Sequence, residues 1–600
     1  MRSSSDLAVA LAAIVSTVAC GAKSPAPAAA PPPAAPPPAA VTAAPAPPPA
    51  SEDQVFEALA ERFVARDLEL DPVNATTSGD HHHDGQWPDL SVAGDRARTA
   101  AYAEISAALA TIPRDELSAQ HQIDAQILIN LIAYNMFALA ELRPAERDPM
   151  TYTRVIGEGL DPLLNRTFQT KAERMASLRA RLDGIPALVA VAKQRLAHPS
   201  KIATETAIAQ NAGLIALCEH DLAAQLEGVA DRAAIEQAAA RAATSLHEFQ
   251  TFLEKDLLAR ADGSFRLGRA LFERKLRLVL DDDVDIDALA DAARAAIAQT
   301  QLDMVDTAKQ IWTADKLGKL PALDTPAARH AFVRKVLDHV AADRPTNQTI
   351  LADAKRWLDQ ATAFVRERDL VRVPDEPVAV VEMPEYRRGV SVAYCDSSGP
   401  LEAKPETSYA ISPTPHDWPA KRVESFYREY NEAMLGELSV HEAMPGHYLQ
   451  LMHNNRFPSK LRAVYQSGAF VEGWAVYGEW LMAERGFGGP RYKLQRQKML
   501  LRAAANTVLD HDIHAGTMDE KAAIALMTDQ AFQEEGEAVG KWKRARLTSA
   551  QLSTYFYGFR ELAAIRKANE SKPGFTDRAY HDRLLSYGSP GLRYVRELMK

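Results

Sequence analysis

The chain has 600 residues, 47% of them hydrophobic and 25% charged, with a formal net charge of -10 and a pI near 5.9. That length points to about two to four domains or one large continuous helical body, and the acidic balance argues against a nucleic-acid partner, which selects basic patches. Three cysteines, Cys20, Cys218 and Cys395, exclude a disulfide scaffold and a zinc finger, so Cys218 and Cys395 read as free thiols.

Residues 1–20 have the pattern of an export signal. Arg2 supplies a positive charge, Leu7 to Val15 is a short apolar stretch, and Thr17-Val18-Ala19-Cys20-Gly21 resembles a lipobox in which Cys20 is lipidated. Asp6 and Thr17 depart from the usual pattern. Gly21 after the cysteine resembles outer-membrane sorting, with the body facing the periplasm or the cell surface. Residues 21–52 form a linker: 12 of the 36 prolines fall between Pro25 and Pro49, alternating with alanine. Such a segment favours extended polyproline II and, at about 3.1 Å per residue, could hold the body roughly 100 Å from an anchor.

The folded body is expected from Asp53. Residues 53–370 read as an N-terminal helical part, with apolar spacings of three and four as in Met175-Leu178-Leu182-Ile185-Leu188 and an alanine-rich stretch from Asp231 to Leu253. Asp71-Pro72, Gly184-Ile185-Pro186, His198-Pro199 and Arg344-Pro345 are the breakers. No apolar run of about 20 residues marks a membrane-spanning helix in the body. His81-His82-His83-Asp84 reads as a solvated loop, because adjacent histidines cannot all face one ion in regular structure. Residues 371–600 read as the catalytic part. It opens with three strand-like segments, Val378–Val381, Val390–Tyr394 and Ser408–Ile411, punctuated by prolines. An edge strand there could hold an extended peptide by main-chain hydrogen bonds. From about Lys421 the pattern is helical again, so the fold class is mostly α with a small β-sheet next to the candidate metal-binding helix.

The chemistry concentrates in His441-Glu442-Ala443-Met444-Pro445-Gly446-His447. A zinc hydrolase needs three protein ligands, an open position for water and a base near that water. The familiar helical form, H-E-x-x-H, places its histidines one turn apart. Here the interval is six residues, which on a regular helix turns His447 about 120° away from His441. Pro445 removes a helix hydrogen bond and Gly446 accepts unusual dihedrals, so a bulge or break over Met444–Gly446 is expected to return His447 to the face of His441. Glu472 is the expected third ligand. It stands among Ala469, Phe470, Val471, Trp474 and Ala475, where an unpaired carboxylate is costly. Glu479, seven residues on, falls on the same helical face and is placed to orient a ligand or contact substrate.

Several motifs together resemble the domain-of-unknown-function 885 family (DUF 885) of bacterial secreted and lipid-anchored proteins. They are His441-Glu442-Ala443-x-Pro445-Gly446-His447-x-x-Gln450, Glu472-Gly473-Trp474-Ala475-x-Tyr477, Arg502 with Asp510-x-x-x-His514, Gln551-x-x-x-Tyr555-x-x-Gly558 and Leu584-Leu585-x-x-Gly588. The resemblance covers essentially everything from Asp53 onward. That family is thought similar to gluzincin metallopeptidases, although its histidine spacing departs from theirs. The resemblance implies a large helical body around a central cleft, His441, His447 and Glu472 as zinc ligands, and Glu442 as the base. Tyr555, Tyr557 and His514 are candidate oxyanion donors, Tyr555 being preferred because the resemblance covers it. Asp510 is a candidate partner of a ligand histidine. Arg560 or Arg593 is a candidate for a substrate carboxylate, and Tyr409 and Gln450 are candidate neighbours of the ligands or substrate. The expected activity is zinc-dependent hydrolysis of short peptides at the cell envelope, Glu442 acting on the attacking water. The competing readings are a peptide-binding lipoprotein with a structural zinc and a metal-dependent amidase or esterase. The sequence sets neither oligomeric state nor side-chain preference.

Overall fold

The computed structural model describes residues 51–383 and 392–600. The export segment with Cys20, the Pro/Ala linker, and Val390 and Ser391 of the second expected strand lie outside the described residues. Residues 51–600 form one compact unit.

Helices build most of it, and local sequence explains where they begin. A capping box opens the first, Glu52–Leu70: the Gln54 N–H donates to Ser51 Oγ and the Ser51 N–H to the Gln54 side chain. Further on, α1 (Met150–Asn165), α2 (Lys171–Arg195), α3 (Lys201–Ala216) and α4 (Arg232–Phe252) share a core of their own. The stripe Met175, Leu178, Leu182, Ile185 and Leu188 is buried throughout. It carries α2 past Gly184-Ile185-Pro186, which the sequence marks as a breaker; Pro186 lies inside the helix. An interior proline costs about 3 kcal/mol. Burying Leu182, Ile185, Leu188 and Val189, at about 1.5–3 kcal/mol each, outweighs that.

One other expectation is qualified here and one is corrected. Ala119–Arg147 is long and apolar enough to cross a membrane by length and composition. Its Ala125, Leu128 and Ile132 pack instead in a core with Phe56, Phe63 and Leu461. His81–His83 is a short 3-10 turn, and it is not a freely solvated loop. His81 Nδ1 meets Asp84 Oδ2 at 3.0 Å, its Nε2 meets Glu402 Oε1 at 3.1 Å, and its ring stacks on Phe168 at 3.9 Å. His82, exposed, pairs with Asp80.

The larger core runs from Phe272 to Met599 and takes in α5 (Ile286–Ala314) and α6 (Ile350–Glu367), so packing does not divide at residue 370. The three-stranded sheet belongs to this core. β3 (Thr407–Ile411) is central, parallel to β1 (Val378–Glu382) and antiparallel to β2 (Ala393–Ser397), with Val380 and Cys395 both opposite Tyr409. β2 is therefore an edge strand. The helices that follow are α7 (Glu432–Glu442), α8 (His447–Asn454), α9 (Gly468–Glu484), α10 (Gly489–His514), α11 (Glu535–Leu547) and α12 (Thr554–Asn569). α9 and α12 cross at Gly473 and Gly558, where a Cβ on Gly473 would stand 2.5 Å from the Gly558 backbone. Only glycine permits that approach. It brings Glu472, one residue before the crossing, and Tyr555, nearly a turn before it, to the same junction. Cys218 and Cys395 are free thiols.

Candidate metal centre

The chain breaks where Pro445 and Gly446 predict. α7 stops at Glu442 and α8 starts at His447, so the two histidines sit on two helices joined by a tight turn. The Met444 N–H donates to Ser439 O, and the Gly446 N–H reaches back to Val440 O at 2.9 Å. A Cβ at Gly446 would lie 1.9 Å from the His441 carbonyl oxygen, so the turn admits no other residue without shifting. The Trp474 indole N–H donates to Pro445 O at 2.8 Å and pins the turn to α9.

The break sets the His441 and His447 rings 4.7 Å apart at an interplanar angle of 85°. Both Nε2 atoms face one oxygen: His447 Nε2 lies 3.5 Å and His441 Nε2 3.7 Å from Glu472 Oε2. One ligating atom from each of the three lies within 4.8 Å of the others. Ligands about 2.0–2.1 Å from a tetrahedral zinc stand about 3.3–3.5 Å from one another. Glu472 Oε2 is buried and makes no hydrogen bond, the condition of an oxygen set aside for a cation. These residues fit zinc in donor type and spacing. The side chains keep 12% exposure at both histidines and 20% at Glu472, so solvent reaches the cluster. Two cavities of about 510 and 430 Å³ lie elsewhere, and neither is lined by the cluster.

Surrounding charge fixes the protonation pattern. His441 Nδ1 donates to Glu479 Oε1 at 2.6 Å, which leaves Nε2 facing the cluster. Burial opposes a charged Glu472, yet the adjacent imidazoles hold its carboxyl well below the usual carboxylate range. Burial likewise disfavours a charged His441, while Glu472 and Glu479 raise it well above the ordinary imidazole value. Glu437, one turn before His441, is fully buried. Burial first and Glu479 second push its carboxyl far up. Glu437 is absent from the sequence-predicted site, although its i to i+4 relation to His441 is a local signal for it.

Glu442 faces the sheet. One carboxylate oxygen accepts the Cys395 N–H of β2 at 3.0 Å, which places the outer edge of β2 beside the base candidate. Tyr555 is the one oxyanion candidate that the fold carries to this junction. Its hydroxyl accepts from Gln551 Nε2 at 3.2 Å and Arg544 Nη2 at 3.3 Å. Burial raises its pKa, and the charge of Glu472 adds to the rise.

The remaining candidates are placed elsewhere. Tyr557, about 200° round α12 from Tyr555, donates to Asp282 Oδ2 at 2.6 Å. His514 directs Nε2 at the Ala545 and Thr548 carbonyls, and Asp510 accepts the Ala550 and Ser553 N–H groups. This pair fastens α10 to the turn between α11 and α12 and supports no ligand histidine. Arg560 is exposed and pairs with Glu561, and Arg593 pairs with Asp281. Tyr409 is buried in β3 with its hydroxyl 3.4 Å from Ser439 Oγ, bracing the sheet on α7. Gln450 donates to Ser589 Oγ at 2.6 Å and holds α8 to the C-terminal segment.

A family profile described as "Bacterial protein of unknown function (DUF885)" matches residues 72–599. A solved structure from Shewanella oneidensis, described as a candidate lipoprotein of unknown function, shares 29% identity and a TM-score of 0.77, covering 92% of this chain and all of its own. A second, a candidate lipoprotein from Colwellia psychrerythraea, shares 18% identity and a TM-score of 0.75, covering 92% and 99%, a likeness of fold. A search of curated proteins finds no match.

Proposed function

This chain belongs to the DUF885 family of bacterial proteins of unknown function, and from the site it carries we propose that it is an exported, lipid-anchored zinc metallopeptidase acting on short peptides. The observation that carries the reading is the convergence of His441 Nε2, His447 Nε2 and Glu472 Oε2 within 4.8 Å, next to Glu442. A His, His, Glu set with an adjacent glutamate is the gluzincin arrangement, reached here through a helix break instead of one helical turn. When bound, zinc supplies Lewis acidity toward the peptide carbonyl and makes water a stronger acid.

The chain's own groups do the rest. Glu442 takes a proton from the attacking water as the oxygen adds to the carbonyl carbon, then gives it to the leaving amine as the C–N bond breaks. The Cys395 N–H holds one Glu442 oxygen and leaves the other for that transfer. Tyr555, aided by the Arg544 hydrogen bond, is the donor for the developing oxyanion. The open edge of β2 offers main-chain partners for an extended peptide. Export and anchoring rest on the lipobox ending at Cys20 and on the descriptions of the two structural relatives.

The test is metal analysis of purified protein together with turnover of a mixed peptide library. Glu442→Gln is expected to keep its zinc and lose about 10²–10⁴-fold in kcat. Unchanged hydrolysis in that variant removes Glu442 from the mechanism, and zinc without any cleavage leaves a peptide-binding protein.

A further inference from the structure

The arginines that the sequence offered for a substrate carboxylate are occupied elsewhere, but Lys541 and Arg544 of α11 pair with no carboxylate among the described residues. Lys541 and Arg544 lie three residues apart, on one face of the helix. Lys541 is 4% exposed, and its ammonium has no hydrogen bond or ion pair among the described residues. A buried lysine without a partner is rare and costly. Burial pulls its pKa well below the usual lysine value, and the anions whose charge it feels are Glu537 and Glu472. Glu537 is already held by Arg502 and by the Tyr430 hydroxyl. Arg544 has no carboxylate partner either. Its Nη2 reaches Gln551 Oε1 at 2.9 Å and the Tyr555 hydroxyl at 3.3 Å. Tyr555 in turn stands nearly one turn from the Gly473–Gly558 crossing that carries Glu472. Arg544 thus touches the phenol beside the metal cluster, Lys541 stands three residues before it on the same helix and feels the charge of Glu472, and neither has a carboxylate partner among the described residues.

We propose that Lys541 and Arg544 bind the C-terminal carboxylate of the substrate, making the enzyme an exopeptidase that works from peptide C-termini. The proposal rests on the peptidase reading above. A carboxylate suits a planar guanidinium, which can hold both of its oxygens, and it supplies the counter-charge that Lys541 lacks.

The test measures binding apart from turnover. Calorimetry on full-length Glu442→Gln compares an acetylated alanine-rich pentapeptide as its free acid and as its C-terminal amide. The acid is expected to bind at least about tenfold more tightly. Lys541→Met in the same background should bring the acid level with the amide, and Arg544→Gln, at an exposed position that does not threaten folding, should weaken the acid in the same sense. Mass spectrometry of wild-type digests should show C-terminal fragments leaving first from the acid and a resistant amide. Equal affinity for acid and amide, or no binding of either, overturns the proposal. Acid preference without cleavage by zinc-loaded wild type overturns the hydrolytic reading and the exopeptidase role with it, and keeps only the carboxylate site; cleavage without acid preference overturns the carboxylate site alone.

Discussion

Two histidine-bearing stretches in this chain end in opposite ways. His81-His82-His83 is the denser cluster, yet both His81 nitrogens are taken by Asp84 and Glu402, and His82 is paired with Asp80. His441 and His447 are six residues apart, yet their Nε2 atoms face one carboxylate oxygen that has no other partner. Histidine count does not make a metal site. A site needs a backbone that aims two lone pairs at one point and a neighbour that occupies the other nitrogen. In the second stretch Pro445-Gly446 aims the two Nε2 atoms together and Glu479 takes the other nitrogen of His441; in the first, both nitrogens of His81 are already taken.

Removing ligands tests this contrast most severely. Apparent zinc affinities of about 10–16 kcal/mol spread over three ligands imply that His447→Ala weakens binding by roughly 10²–10⁴-fold, read by competition with a chromophoric chelator. His81→Gln should leave zinc content untouched, and a comparable loss there would erase the distinction. Gly446→Ala acts on the backbone alone. Its new methyl collides with the His441 carbonyl, so zinc should weaken although every ligand is present. A Gly446→Ala protein with wild-type affinity would show that the close approach relaxes freely. Glu479→Gln keeps the shape and removes the charge that orients His441, and a loss of about 10–100-fold in zinc affinity is expected. The Gly446→Ala loss should lie between the other two.

What can be read from sequence follows the same division. His441, Glu442, Pro445, Gly446 and His447 act within seven residues, so helical phase alone calls for the break between the two histidines. The three strands and the return of Glu472 one helix later need only short-range pattern. Tyr557 and Tyr555 differ by two positions, and local sequence does not say which side of α12 faces α9; the Gly473–Gly558 crossing decides it. Asp510 and His514 read as chemistry because Asp-x-x-x-His is a suggestive pair, but their partners, Ala550, Ser553, Ala545 and Thr548, lie some 30 to 40 residues away. Lys541 and Arg544 give no sequence signal at all, since an unpartnered lysine is visible only once its surroundings are known. Pro186 misleads for the converse reason: tertiary burial of its helix outweighs the local rule.

The smallest expected effect lies in the first stretch. His81 titrates as a structural clamp whose charge is wanted. Burial alone would lower its pKa, but hydrogen bonds to Asp84 and Glu402 outweigh that and raise it to about 9, against an ordinary 6.5. The facing groups are these two carboxylates and the apolar ring of Phe168. A pKa raised on folding adds stability that is complete below 6.5 and is lost as pH rises through about 9. Because His81 is only half-buried, the contribution is discounted for solvent screening to about 1–2 kcal/mol. Urea melts at pH 6 and pH 9.5 should therefore show wild type losing that increment relative to His81→Gln. Parallel pH slopes in the two proteins would mean that the turn holds without the imidazolium.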